Sequence, residues 1–389
     1  MNEFSFLEFF AGGGMARAGL GNKWRCSFAN DFDAMKIAAY RSNWGGDELI
    51  GGDVNLIKTC QIPGQADLAW ASFPCQDLSL AGNALGIGTA SEQTRSGAFW
   101  AFWGLIEGLI GEDRAPSVIV LENVYGSLTA NKGRDFAAIA RCLALGGYRF
   151  GAIVIDAARF VPQSRPRVFI VALRNEMHVP DNLVRNQPSP AWHPAVMEGA
   201  IDRLSEMDRE SWFWLTPTEP QNDVFPLSDL ILEQPDDVSW HSPDETQKLI
   251  AMMSSVNHKR LLAMQAKGKR LVGTIYKRTR VDEAGNRKQR AELRDDNIAG
   301  CLRTPGGGSS RQTIVVVEGS SVKSRLLSAR EAARLMGLPD SYKLPARYND
   351  AYHIAGDGLV VPVVRYLAET VIEPILLANR AAYFLEAAE

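Results

Sequence analysis

The sequence predicts a doubly wound α/β sheet followed by a smaller, irregular domain. Two observations carry this reading. Over the first 175 of the 389 residues, short apolar runs alternate with stretches of helical periodicity, the rhythm of βαβ units. After Leu173 that rhythm stops, and prolines at 180, 188, 190, 194, 217, 220, 226, 235 and 243 interrupt any long regular element. The expected domains are 1–175, 176–322 and a C-terminal segment, 323–389.

In order, Phe4 to Phe9, Trp24 to Ala29, Ala66 to Ser72, Val118 to Leu121, Ile153 to Ile155 and Val168 to Leu173 read as strands, being short, apolar and bounded by turn residues. A further strand end is expected at Gly52-Asp53-Val54. Ala34 to Asn43, Gly97 to Ile110 and Phe136 to Leu145 carry apolar residues at helical spacing and serve as crossovers. In the later part, Thr313 to Val317 is strand-like. Helical spacing returns at Ser328 to Met336, behind a Ser-x-x-Glu capping box, and over Val361 to Leu377.

With 46% hydrophobic and 22% charged residues the chain can bury a large core. No apolar run reaches membrane-spanning length and the N-terminus lacks a basic region before an apolar stretch, so a cytoplasmic protein without a membrane partner is expected. Five scattered cysteines, with no C-x-x-C pair, argue against disulfides or a metal site. Cys26, Cys60, Cys142 and Cys301 read as small buried residues. The net charge of −3 hides an asymmetry: Lys259 to Arg294 holds twelve Lys/Arg against three Asp/Glu. Such a basic stripe on an acidic body suits a protein that grips phosphates with one surface, although a solvated hairpin would look the same.

The first strand runs into Phe10-Ala11-Gly12-Gly13-Gly14, where glycines let backbone pass close to a ligand at a helix mouth. Position 17 is Arg, not the third glycine of a dinucleotide fingerprint, which disfavours NAD or FAD. The next strand ends at Asp31-Phe32, a carboxylate for a ribose diol beside an aromatic able to stack on adenine. Asp53 and Val54 follow at the third strand end, although either acid alone would more often cap a helix. Phe73-Pro74-Cys75-Gln76 then exposes a thiol at a rigid turn, the strongest local signal in the chain. Thiolate addition at C6 of cytosine would make C5 nucleophilic enough to accept a methyl group. At the end of the Val118 strand, Glu122-Asn123-Val124 offers a carboxyl that could hydrogen-bond N3 and the exocyclic amine. Gln163-Ser-Arg165-Pro-Arg167 places two guanidinium groups on one face of a strand, for the base carbonyl and for holding Glu122; a phosphate clamp or surface ion pair is the alternative.

In the order and spacing of these motifs the sequence resembles the DNA (cytosine-5) methyltransferase family of bacterial and phage restriction-modification systems. The resemblance reaches both ends of the chain. It implies catalytic parts for Cys75, Gln76, Glu122, Asn123, Arg165 and Arg167. It implies an S-adenosyl-L-methionine site from Phe10, Ala11, Gly12, Gly14, Asp31, Phe32, Asp53, Val54, Pro74, Ala98, Asp357 and Gly358. Ala98 belongs to Arg95-Ser-Gly-Ala-Phe, similar to the segment that closes over the methionine portion. Arg325 to Pro339 resembles the helix supporting the recognition domain, and Gly356-Asp357-Gly358 resembles the last cofactor motif. Asp357 and Met15 depart from the family pattern, which bears on cofactor binding and not on the thiol. Further implications are a Rossmann-like methyltransferase sheet, a target-recognition domain over 176–322 and a final helix folded back on the first strand. The expected function is sequence-specific methylation of a flipped cytosine in double-stranded DNA by a monomer, with a cognate restriction endonuclease acting separately. A transfer-RNA cytosine methyltransferase and an inactive DNA-binding regulator are the alternatives. The basic stripe would face phosphates, and Gly306-Gly307-Gly308 would read base edges or simply connect a hairpin.

Overall fold

In a computed structural model, residues 3–74, 97–221, 223–281, 285–304 and 311–386 are described. Cys75, Gln76, Arg95 and the Gly306-Gly307-Gly308 stretch lie outside them. The chain divides into two compact units. The first comprises 1–155, 166–220 and 363–389, and the second 156–165 and 221–362. The observed division therefore falls at 220 and 362, not at the expected 175 and 322. Aromatic packing holds 176–220 in the first unit: Trp212 lies edge-on to Phe150, and Trp192 is 1% exposed and stacks on Tyr366.

The first unit is built on a seven-stranded sheet of β1 (Phe4–Phe9), β2 (Trp24–Asp31), β3 (Leu49–Gly51), β4 (Leu68–Ala71), β5 (Val118–Val124), β6 (Tyr148–Asp156) and β7 (Pro166–Arg174), in the order β3-β2-β1-β4-β5-β7-β6. β1 to β5 are mutually parallel, and β7 runs antiparallel to β5. The carboxyl ends of β1 to β5 therefore share one edge with the start of β7. The sheet strands are apolar nearly throughout because both faces are covered. Leu7 and Phe9 join a core with Phe102, Ile106 and Leu143 of helices α3 (Gly97–Gly111) and α4 (Arg134–Leu145). Tyr40 of α2 (Ala34–Trp44), which follows α1 (Met15–Leu20), packs with Ala29 and Leu49 in a separate cluster.

Among the described residues this unit also holds a two-stranded pair, β8 (Val184–Arg185) and β9 (Trp214–Leu215), and helices α5 (Ala195–Ile201) and α6 (Glu206–Glu210). Its last helix returns to the first strands. Glu373, 4% exposed, accepts from Trp24 Nε1 at 3.0 Å, and Arg380 donates to Glu3 O at 3.0 Å while lying over the Phe4 ring.

The second unit holds α7 (Pro243–Ala251), α8 (Ser255–Ala266), α9 (Ala329–Leu335) and α10 (Tyr348–Asp357). α11 (Val361–Leu367) straddles the division, and α12 (Glu373–Glu386) completes the first unit. The second unit's antiparallel sheet, ordered β11-β10-β12-β13, joins β10 (Leu271–Val281), β11 (Arg287–Arg294), β12 (Thr313–Glu318) and β13 (Ser321–Leu326). Ile275, Ala291, Leu293, Val315 and Val317 pack against Leu249, Leu261 and Met264 of α7 and α8. The capping box at α9 is formed as expected, Ser328 Oγ accepting from Glu331 N. Glu331 also takes both terminal nitrogens of Arg325 at 2.7 and 2.8 Å, and both side chains are fully buried.

Candidate active site

At the shared edge, β1 runs into a turn whose Phe10, Gly12 and Gly14 have φ of +58°, +56° and +76°. Gly14 is irreplaceable on two counts, since a Cβ there would also enter the Trp44 indole, which donates from Nε1 to Gly13 O at 3.0 Å. A Cβ on Gly12 or on Gly52 would meet nothing within 4 Å, so both backbones face open space. Asp31 ties this turn to the end of β2: its Oδ2 accepts from Gly12 N at 2.8 Å and its Oδ1 from Asp33 N at 2.9 Å. Burial raises the Asp31 pKa against these hydrogen bonds and the Lys36 charge. Phe32, next along, is 66% exposed, an uncovered ring at the edge of the turn. Asp53 is exposed and caps the short helix opened by the buried Val54, accepting from Asn55 N at 2.9 Å. Ala98 sits half-buried in the first turn of α3.

β4 ends two residues before Phe73, which is 4% exposed and packs on Phe99 of α3. The Phe73 carbonyl accepts from Asn123 Nδ2 at 3.2 Å, so Asn123 pins the backbone just ahead of the exposed Pro74. The Asn123 Oδ1 accepts from Val124 N at 2.8 Å. Glu122 lies inside β5 rather than beyond its end, 9% exposed. Val124 pairs with Arg167 and Glu122 with Phe169, so Glu122 and Arg167 are diagonal neighbours on one sheet face. They meet at 3.0 Å between Arg167 Nε and Glu122 Oε1.

The two motif arginines do not share a strand face, contrary to expectation. β7 begins at Pro166, and Arg165 falls in the segment that belongs to the second unit. Arg165 is 3% exposed, donating from Nη1 to Leu302 O and from Nη2 to Gly356 O and Gly358 O, each at 2.9 Å. Gln163, fully buried, donates to Leu335 O at 2.8 Å and accepts from Leu302 N at 3.0 Å. In the same unit Gly356 lies so near Arg303 and Thr304 that a Cβ would meet their backbone at 2.9 Å, and Asp357 pairs with His353 at 3.2 Å. A cavity of about 640 Å³ in the second unit, lined by His241, Arg311, Arg347 and Tyr348 among others, contains none of the expected catalytic residues.

Of the remaining cysteines only Cys142 is buried; Cys26 and Cys301 are half-buried and Cys60 is exposed, a departure from expectation. Burial pushes the Cys26 and Cys142 thiols up to about 12, which removes them as nucleophiles near neutral pH. Sequence reasoning passed over Glu8, the acid just before the glycine turn. It is 2% exposed, its Oε2 has no partner, and burial pushes its pKa up to about 8. The signal was available, a charged residue inside a strand that is otherwise apolar but for Ser5.

The family description C-5 cytosine-specific DNA methylase matches residues 4–373. The chain belongs to that family. It is thus a DNA (cytosine-5)-methyltransferase. It is 25% identical over 366 residues to the Type II methyltransferase M.HhaI of Haemophilus parahaemolyticus, covering 93% of this chain and 92% of the relative. It is 26% identical over 394 residues to the Type II methyltransferase M.HaeII of Haemophilus aegyptius, covering 98% and 97%. The fold is that of the Dnmt2 methyltransferase of S. pombe, with a TM-score of 0.56 at 17% identity over 95% of this chain and 99% of that one. Among the described residues of this family member, no helix is long and apolar enough to cross a membrane, and no group of His, Cys, Asp and Glu could hold a metal ion.

Proposed function

We propose that the chain methylates C5 of a cytosine rotated out of duplex DNA, with S-adenosyl-L-methionine as donor and Cys75 as nucleophile. One observation carries the reading. The glycine turn, Asp31-Phe32, Asp53, Pro74, Glu122 and Arg167 all fall at a single sheet edge, the place where open α/β sheets bind ligands. The residues present fit the cofactor: open space beside Gly12 and Gly52, an uncovered Phe32 ring for a base, and the Asp53 carboxylate for hydroxyls. When bound, S-adenosyl-L-methionine would supply an electrophilic methyl group, its sulfonium sulfur keeping the electron pair of the broken bond and leaving as a neutral thioether. Phe10, Ala11, Gly12, Gly14, Asp31, Val54, Pro74 and Ala98 form the rest of that wall.

The protein's own groups do the remainder. Cytosine leaves the stack at a cost of about a few kcal/mol, because C6 and N3 are inaccessible within it. The Cys75 thiolate adds to C6 and the displaced π electrons reach C5, which takes the methyl group. Loss of the C5 proton to a base re-forms the double bond and expels the thiolate. Glu122, steered by Arg167, hydrogen-bonds N3 and the exocyclic amine. Gln76 has a catalytic part next to Cys75 in the sequence, and Asn123 positions the backbone at Phe73. Arg165 acts as a positioning residue, its guanidinium committed to the Leu302, Gly356 and Gly358 carbonyls. The basic stripe of the second unit supplies phosphate contacts.

Tritiated methyl transfer to unmethylated duplex DNA and to transfer RNA, followed by bisulfite sequencing, tests the reading. Label confined to cytosine C5 of DNA, and lost in Cys75→Ala, is the expected result. Label entering only RNA, or persisting in Cys75→Ala, overturns it.

A further inference from the structure

Among the described residues, β10 pairs with β12 only through Leu271 to Ile275, whereas its pairing with β11 continues to Val281. Beyond Ile275 the hairpin is therefore a two-stranded ribbon outside the four-stranded sheet. Its inner half is anchored: Ala291 is fully buried, and Ala291 N donates to Met252 O at 3.1 Å. Its outer half, Arg278 to Val281 and Arg287 to Gln289, is exposed on both faces, Val281 at 66%. An isolated ribbon of this kind is marginal in water, so its projection calls for a partner.

The register sorts its side chains onto two faces. One carries Arg278 opposite Arg290 and Arg280 opposite Lys288, with Tyr276 opposite Glu292 at the base. On that face Glu292 gathers Arg278 at 3.5 Å and Arg280 at 2.5 Å, and Arg278 leans over the Tyr276 ring. Lys288 and Arg290, and Arg287 on the other face, make no ion pair among the described residues. The second face carries Lys277 opposite Ala291, Thr279 opposite Gln289, and Val281 opposite Arg287. Its centre is thus a neutral amide facing a hydroxyl and a methyl, amid cations.

We infer that this ribbon enters the major groove of the target duplex, with Lys288 and Arg290 on phosphates and the Thr279–Gln289 pair on base edges. The inference rests on the DNA methyltransferase reading and extends it to residues that set the recognised sequence. The major groove admits a two-stranded ribbon, a glutamine side chain matches adenine N6 and N7, and a threonine methyl matches that of thymine. Cations on one face neutralise phosphates without regard to sequence, while the neutral pair of the other face discriminates.

The test uses the full-length protein, with wild-type melting behaviour required of each variant. Duplex affinity is measured from low to moderate salt, and methylated sites are mapped by bisulfite sequencing of an unmethylated genome. The double variant Lys288→Ala with Arg290→Ala is expected to flatten the plot of log affinity against log salt by about 2, roughly 1 per phosphate contact, and to leave the recognised sequence unchanged. Gln289→Ala and Thr279→Ala are expected to keep the salt slope, to lose roughly 5- to 150-fold at the cognate site and to relax the preference at one or two positions. A wild-type slope in the double variant, or a wild-type site profile in both single variants, overturns the inference. Wild-type protein that binds duplex DNA through this ribbon but transfers no methyl group overturns the catalytic reading instead.

Discussion

The tether between Asn123 and Phe73 makes a claim that can be separated from folding. Asn123 is 6% exposed and spends its amide on two backbone groups, donating to Phe73 O at 3.2 Å and accepting from Val124 N at 2.8 Å. Asn123→Ala orphans both partners, each costing about 1–3 kcal/mol, so a loss of about 2–6 kcal/mol of stability is expected. The effect on catalysis arises differently. Phe73 stands two residues before Cys75, and a displacement on the order of 1 Å at a reacting group lowers rates by about a hundredfold. The variant should therefore lose about two orders of magnitude in single-turnover methyl transfer at saturating DNA and cofactor. Cofactor affinity should fall much less than the rate, because most of its wall is built on the turns after β1 to β3 and only Pro74 adjoins the released Phe73 carbonyl. Asn123→Asp should do no better, since it keeps the acceptor for Val124 N but sets a carboxylate against the Phe73 carbonyl. A folded Asn123→Ala protein with the wild-type single-turnover rate would refute the positioning role.

Other consequences concern the two cores and the cofactor turn. Glu331→Ala strands the fully buried Arg325 charge and should cost about 3–5 kcal/mol, read as a lowered urea midpoint for the second unit. Gly14→Ala combines a φ of +76° with intrusion on Trp44, so equilibrium dialysis should find cofactor binding lost while duplex affinity persists. Burial raises the Glu8 pKa from 4.5 to about 8, against hydrogen bonds from the Arg17 and Ala16 backbone and the Arg17 charge. The folded state thus holds a proton that the unfolded chain releases. Its contribution is complete below about pH 4.5 and is lost as pH rises through about 8, at up to about 1.4 kcal/mol per pH unit between them. Urea midpoints of Glu8→Gln across that window should show this decline removed.

Much of the catalytic framework was legible because parallel strands buried on both faces are short apolar runs, and their ends carry the polar residues. β1, β2, β4, β5 and β7 were expected within a few residues, as were α2, α3 and α4. β3 has only three residues, too few for a periodic signal, and showed itself through Gly52-Asp53 alone. The unit boundary was misjudged because prolines over 176–220 mark irregular backbone, whereas belonging is decided by what Trp192 and Trp212 pack against, which no local pattern contains. The arginine motif was misread for a related reason. Alternation puts Arg165 and Arg167 on one face only if the strand includes both, and Asp156 instead holds the preceding turn by accepting from Arg165 N at 2.7 Å. Glu373 and the Arg325–Glu331 pair were invisible as partners because their contacts join distant or helix-capping positions.

The central claim is a bond between Cys75 and C6 of an extruded cytosine, and covalent capture tests it most directly. Duplexes carrying 5-fluorocytosine at the methylated position retain fluorine where a proton must leave, so the elimination step stalls. The account predicts a species stable to denaturation, dependent on S-adenosyl-L-methionine, whose digestion maps the DNA to Cys75, and which Cys75→Ser does not form. Methyl transfer to ordinary DNA with no such adduct on the fluorinated duplex, or an adduct mapping to another residue, would contradict it.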